Sequence, residues 1–157
     1  MTADYDKLRG RLAGKRAVIS GATGGMGIAA CRIFCAAGAS VLGTDLDPEA
    51  GRRLADQMKA DGHDFEFQPA DVTSEDQVQA LADSAKARWG AVDILYNNAG
   101  IILGKPLLQT TVAEWDRLHA VNTRSVFLMT RAFAPLMTMG KGSIINVSSG
   151  GGIRAIQ

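Results

Sequence analysis

The sequence predicts an α/β fold in which a parallel sheet is wound on both faces by helices. Three observations predict it. A β-branched apolar run, Arg16-Ala17-Val18-Ile19-Ser20, breaks into the glycine-dense turn Gly21 to Gly27, and the turn opens into helical periodicity at Ile28, Cys31, Ile33 and Phe34. Strand-like and helix-like stretches then alternate down the chain. The second strand-like stretch ends on an acidic residue, Asp45.

Composition agrees with one globular domain over residues 1–157. The 157 residues are 46% hydrophobic with a net charge of +1, which supplies a sizeable core and gives no reason to expect a nucleic-acid partner. Residues 1–14 form a polar lead, and no apolar run reaches the length of a signal segment or membrane span, so the default expectation is a cytoplasmic chain with no membrane partner. Cys31 and Cys35 lie four apart on the apolar side of the first helix and read as small core residues in a reducing compartment.

The glycine turn carries the first functional expectation. Residues without a Cβ let a backbone approach a pyrophosphate closely, and the N–H groups of the following helix start point at the anion. The spacing fits both G-x-x-x-G-x-G, through Gly21, Gly25 and Gly27, and G-x-x-G-x-x-G, through Gly21, Gly24 and Gly27. The first helix runs to about Ala37 and stops at Gly38. Residues 40–44 read as the second strand. At its end Asp45 is placed to accept hydrogen bonds from the adenosine ribose and to repel a 2′-phosphate, which favours NAD over NADP. No Arg or Lys in the glycine turn or just after Asp45 offers a phosphate site. Asp47 followed by Pro48 is the better N-cap for the next helix, 49–60.

The third strand, 64–68, alternates apolar and polar residues, which predicts an edge position. It leads to Asp71-Val72, beside an adenine or in a generic turn. Thr73 or Ser74 caps a helix carrying Val78, Leu81, Ala82, Ala85 and Trp89. A fourth strand, 92–96, ends in Asn97-Asn98-Ala99-Gly100. After an apolar loop, one long helix is expected from Val112 to Met137, with Asn122 buried on its apolar face and therefore hydrogen-bonded. Gly140-Lys141-Gly142 turns into a fifth strand, 143–148, followed by Ser149 and a glycine run. His63 and His119 have no partner at metal-ligand spacing, so no metal is expected.

Ser20-Gly21-x-x-x-Gly25-x-Gly27, Asp71-Val72, Asn97 to Gly100 and Ser148-Ser149 stand in order along the chain. Together they resemble the short-chain dehydrogenase/reductase family in its classical-type branch. The resemblance implies a Rossmann-like sheet of order 3-2-1-4-5, and it favours the G-x-x-x-G-x-G reading, with Ser20 where the family usually has Thr. It implies cofactor contacts at Gly21, Thr23, Gly25, Met26, Gly27, Asp45, Asp71, Val72, Asn98, Ala99 and Gly100. It also implies a small carbonyl or alcohol substrate and a homodimer or homotetramer in the full-length form.

The same resemblance implies hydride transfer between nicotinamide and a carbonyl or alcohol carbon. Ser149 would hydrogen-bond the substrate oxygen, and Asn122 would anchor a water leading to a lysine. The family's Tyr-x-x-x-Lys pair, expected about a dozen residues past Ser149, is not among the 157 residues. Tyr96 reads as a core residue. The expectation is therefore the N-terminal part of a longer reductase, with strands and helices beyond the fifth strand missing; the second reading is an inactive dinucleotide-binding or dimerising fragment.

Overall fold

Small and β-branched side chains at Ala17, Val18 and Ile19 let β1 (Arg16–Ser20) bury both faces completely, which places it at the centre of the sheet. The computed structural model describes residues 6–138 and 140–149. Around β1 lie β2 (Ser40–Asp45), β3 (Phe65–Pro69), β4 (Ile94–Asn97) and β5 (Ser143–Asn146), all parallel in the order β3-β2-β1-β4-β5. This is the order implied from the sequence. Val92 lies before β4 and bridges Met137, and β5 stops at Asn146, opposite the last residue of β4. The expected glycine run after Ser149 lies outside the described residues.

Side chains on successive strand residues point to opposite faces, and the core divides accordingly. Ala17, Ile19 and Val41 pack with Cys31, Leu54 and Met58 beneath α1 (Gly25–Ala36) and α2 (Pro48–Ala60). Val18, Leu42 and Leu95 pack with Leu81, Met129 and Phe133 beneath α3 (Glu75–Trp89) and α5 (Ser125–Phe133). The cysteines are buried, and burial pushes both thiols up to about 12. Tyr96 packs edge-on against Phe34, in the core role expected of it.

The Asp47 side chain caps α2 through the N–H groups of Glu49 and Ala50, and these bonds hold its carboxyl below the usual range. Ser74 caps α3, and Gly90 closes it in the left-handed conformation.

The single long helix expected over residues 112–137 is instead broken into four segments. Thr111 and Glu114 form a capping box that starts α4 (Val112–His119); a π-turn follows over Ala120–Arg124, then α5, then a 3-10 turn at Ala134–Leu136. The Ser125 N–H reaches back to Ala120 O, and its Oγ bonds Val121 O at 2.5 Å, which accommodates the extra residue of the wider turn. Pro135, lacking an N–H, ends the regular helix.

At the lower end of the sheet, Asp93 joins three strands. Its carboxylate accepts from Arg16 N at 2.9 Å and Arg16 Nε at 2.7 Å, while its backbone bonds Arg16 O and Ser143 N. The sheet edges differ in chemistry. Arg88 on α3 pairs with Asp64, at 2.6 Å, and with Glu66 along β3, whereas β5 presents the partly exposed Ile144 and Ile145.

Candidate cofactor cleft

The strand order reverses between β1 and β4, so the chain leaves their upper ends in opposite directions and a crevice opens there. The two strand ends are interlocked. Ser20 Oγ accepts from the N–H groups of Asn98 and Ala99 at 3.1 Å each, and the Asn98 side-chain amide donates to Ser20 O and Gly21 O, also at 3.1 Å. Gly21 has φ +67°, and a Cβ there would lie 2.9 Å from Ala99 Cα. The sequence pointed to Ser20 as a motif position but not to this acceptor role.

The crevice is a cleft of about 430 Å³. Every residue assigned to the cofactor from the sequence lines it: Gly21, Thr23, Gly25, Met26 and Gly27 from the turn, Asp45 from β2, Asp71 and Val72 after β3, and Asn98, Ala99 and Gly100 after β4. Gly24, Leu46, Ala70, Ile101, Arg117 and Val121, which were not assigned from the sequence, line it too.

The glycines divide into two kinds. A Cβ on Gly27 would fall 1.9 Å from Gly21 O, so the turn itself requires glycine there; a Cβ on Gly25 would meet no protein atom within 4 Å. Gly25 therefore faces open cleft at the first residue of α1. No side chain caps that helix and no acidic residue occupies its first turn, unlike α2, α3 and α4. Helix-start N–H groups with no protein cap, beside open space, fit a pyrophosphate.

Across the cleft, the Asp45 carboxylate accepts from Thr23 N at 3.0 Å and Thr23 Oγ1 at 2.5 Å through one oxygen, and from Leu46 N at 2.8 Å through the other. Asp71 turns inward on its own loop, accepting from Thr73 N and Oγ1 at 2.8 and 2.7 Å. Its carboxylate thus does the work of a turn Asp while lining the cleft. Arg117 is the one cation among the described residues of the wall, placed one helical turn before Val121.

Asn122 lies in the π-turn and is exposed, which corrects the expectation of a buried side chain: the wider turn presents it to the loop after β4 rather than to the core. It is hydrogen-bonded, as expected. Its Oδ1 accepts from Ile101 N at 2.8 Å, and its Nδ2 donates to Ile101 O at 2.9 Å. This clamp fixes one rim of the cleft. The same loop is held to α4 by Lys105, 2.7 Å from Glu114; that bond and those from Thr111 pull the Glu114 carboxyl down to about 2. Ser149 is exposed beyond β5, outside the cleft wall. His119 bonds Trp115 O and stacks on the Trp115 ring, a structural role.

Sheet order, switch-point cleft and glycine turn define a doubly wound α/β protein of the Rossmann-like class. The chain belongs to the short chain dehydrogenase family, which matches residues 15–157. It is 38% identical over 141 residues to a cyclopentanol dehydrogenase of Comamonas sp., covering 89% of this chain and 56% of that one. A short chain dehydrogenase/reductase from Burkholderia phymatum, solved in complex with NAD, superposes with a TM-score of 0.87 at 34% identity, covering 92% of this chain and 52% of that chain. A metagenomic short-chain oxidoreductase in complex with NADP superposes with a TM-score of 0.84 at 38% identity, covering 92% and 66% respectively. The chain spans little more than half the length of the curated relatives it matches.

Proposed function

We propose that the cleft binds a nicotinamide dinucleotide, NAD in preference to NADP, as the cofactor half of an oxidoreductase acting on a small carbonyl or alcohol compound. The observation that carries this reading is the meeting, in one cleft, of an uncapped helix start, an open glycine position and the Asp45 carboxylate. The named functions of the relatives and the dinucleotides held by the neighbours support it.

The α1 N–H groups would bind the pyrophosphate, and Asp45 would accept a hydrogen bond from a ribose hydroxyl. A 2′-phosphate about 4 Å from Asp45 would meet a repulsion of roughly 4 kcal/mol at an effective dielectric near 20. The bound nicotinamide supplies the hydride acceptor or donor. Ser149 is assigned to the substrate oxygen and Asn122 to the positioning of the cleft rim and of a proton-carrying water, on the strength of their motif positions. Tyr96, packed on Phe34, takes no part in proton transfer. The exposed Val112, Trp115 and Phe127 support a homodimeric or homotetrameric full-length form.

Fluorescence titration of the purified chain with NADH and NADPH in parallel tests the reading. The expected result is at least about tenfold tighter binding of NADH, the fraction of the repulsion that survives solvent screening. Tighter NADPH binding would refute the NAD preference, and binding of neither would refute the cleft assignment.

A further inference from the structure

We propose that Thr23 is a positioning residue for cofactor choice: its hydroxyl and backbone N–H hold the Asp45 carboxylate in the orientation that accepts a ribose hydroxyl and rejects a 2′-phosphate. The proposal rests on the NAD reading of the cleft. Its own basis is the pair of bonds from Thr23 to one carboxylate oxygen, at 3.0 and 2.5 Å, across 22 residues of chain. Leu46 N holds the other oxygen.

An ionised carboxylate only accepts, so the Thr23 hydroxyl must donate, and its proton is committed to Asp45 rather than offered to a phosphate. A carboxylate has about four acceptor positions. Three are taken by Thr23 and Leu46, leaving room for one ribose hydroxyl on a group already fixed in place. No other side chain of the turn can substitute. Ala22 is fully buried, Gly24 and Gly25 have no side chain, and Met26 has no donor. With the hydroxyl removed, Asp45 keeps a single backbone donor from the turn and gains rotational freedom, which weakens acceptance of the ribose and relaxes rejection of the phosphate together.

The test compares wild type, Thr23→Val and Thr23→Ser by NADH and NADPH dissociation constants, with circular dichroism to verify equal folding. Thr23→Val is expected to weaken NADH binding about tenfold, the scale of one lost charge-assisted hydrogen bond, while NADPH binding stays within about twofold. Thr23→Ser is expected to restore the wild-type ratio. Equal losses for both dinucleotides, or no change in the ratio, would overturn the proposal. In the cofactor-free chain, the Thr23 amide resonance is expected to shift in Asp45→Asn; an unmoved resonance would overturn it independently of any cofactor. A wild type that binds neither dinucleotide, yet shows the amide shift, would bring down the cleft reading and cofactor selection with it, while leaving the Thr23–Asp45 bond standing.

Discussion

Replacing Asp93 by Ala removes the carboxylate that holds Arg16 at the start of β1, while the backbone bonds of residue 93 to Arg16 O and Ser143 N remain. The carboxylate accepts two bonds from Arg16, at 2.9 and 2.7 Å, with Lys15 Nζ at 3.9 Å, and the Arg16 and Asp93 side chains are 28% and 13% exposed. Cutting one member of a buried pair costs about 3–5 kcal/mol, and partial exposure of Arg16 sets the expectation near the lower end, about 3 kcal/mol. With a urea slope of about 1.5–2 kcal/mol per M for a chain of this size, the unfolding midpoint should fall by about 1.5–2 M. Asp93→Asn keeps one acceptor and should lose about half as much.

The Arg16 hydrogen bond, more than charge attraction, holds the Asp93 carboxyl below its ordinary range. A depressed carboxyl stabilises the fold above the unfolded pKa of about 4, and that stability is lost as pH falls from there through the folded value. The gap between wild type and Asp93→Ala should therefore be constant from about pH 5 to 8 and narrow under more acidic conditions. Urea unfolding followed by circular dichroism at pH 7 and pH 3 measures both. A gap below about 0.5 kcal/mol at pH 7, or an equal gap at both pH values, would refute the assignment.

Other predictions address the cleft and core. Gly27→Ala places a Cβ 1.9 Å from Gly21 O and should cost about 3 kcal/mol or more, together with NADH binding; a thermal unfolding temperature equal to wild type would contradict it. Asn122→Leu removes both bonds to Ile101, so amide exchange at Ile101 should accelerate about tenfold with little change in global stability, as read by NMR. Cys31 and Cys35, with thiols pushed up to about 12, should resist a thiol reagent at pH 7.5 and react fully in denaturant; rapid reaction of the native chain would show that the α1 face opens.

The strands and the glycine turn were legible because each rests on local pattern. β-branched runs, Gly21 to Gly27, Asp47-Pro48 and the alternation of β3 each encode one local conformation, and each occurs where it was expected. The break in the long helix was not legible, since apolar spacing over residues 112–137 continues through a π-turn that depends on the backbone of Ala120 and the hydroxyl of Ser125. Arg117 was missed for a related reason. A charged helix residue reads as solvated, and its place on the same cleft as the loop after β4 is set by the tertiary fold. The buried position expected for Asn122 failed because periodicity locates a face but not a local widening of the helix.

The unlike edges of the sheet also give it a direction of growth. Along β3, an incoming strand would have to displace Arg88 from Asp64 and Glu66, exchanging satisfied charges for backbone bonds. Along β5, Ile144 and Ile145 are partly exposed, and among the described residues no salt bridge lies along the strand. A strand that adds to this sheet therefore meets less resistance at β5 than at β3, so the β5 side is the one open to extension.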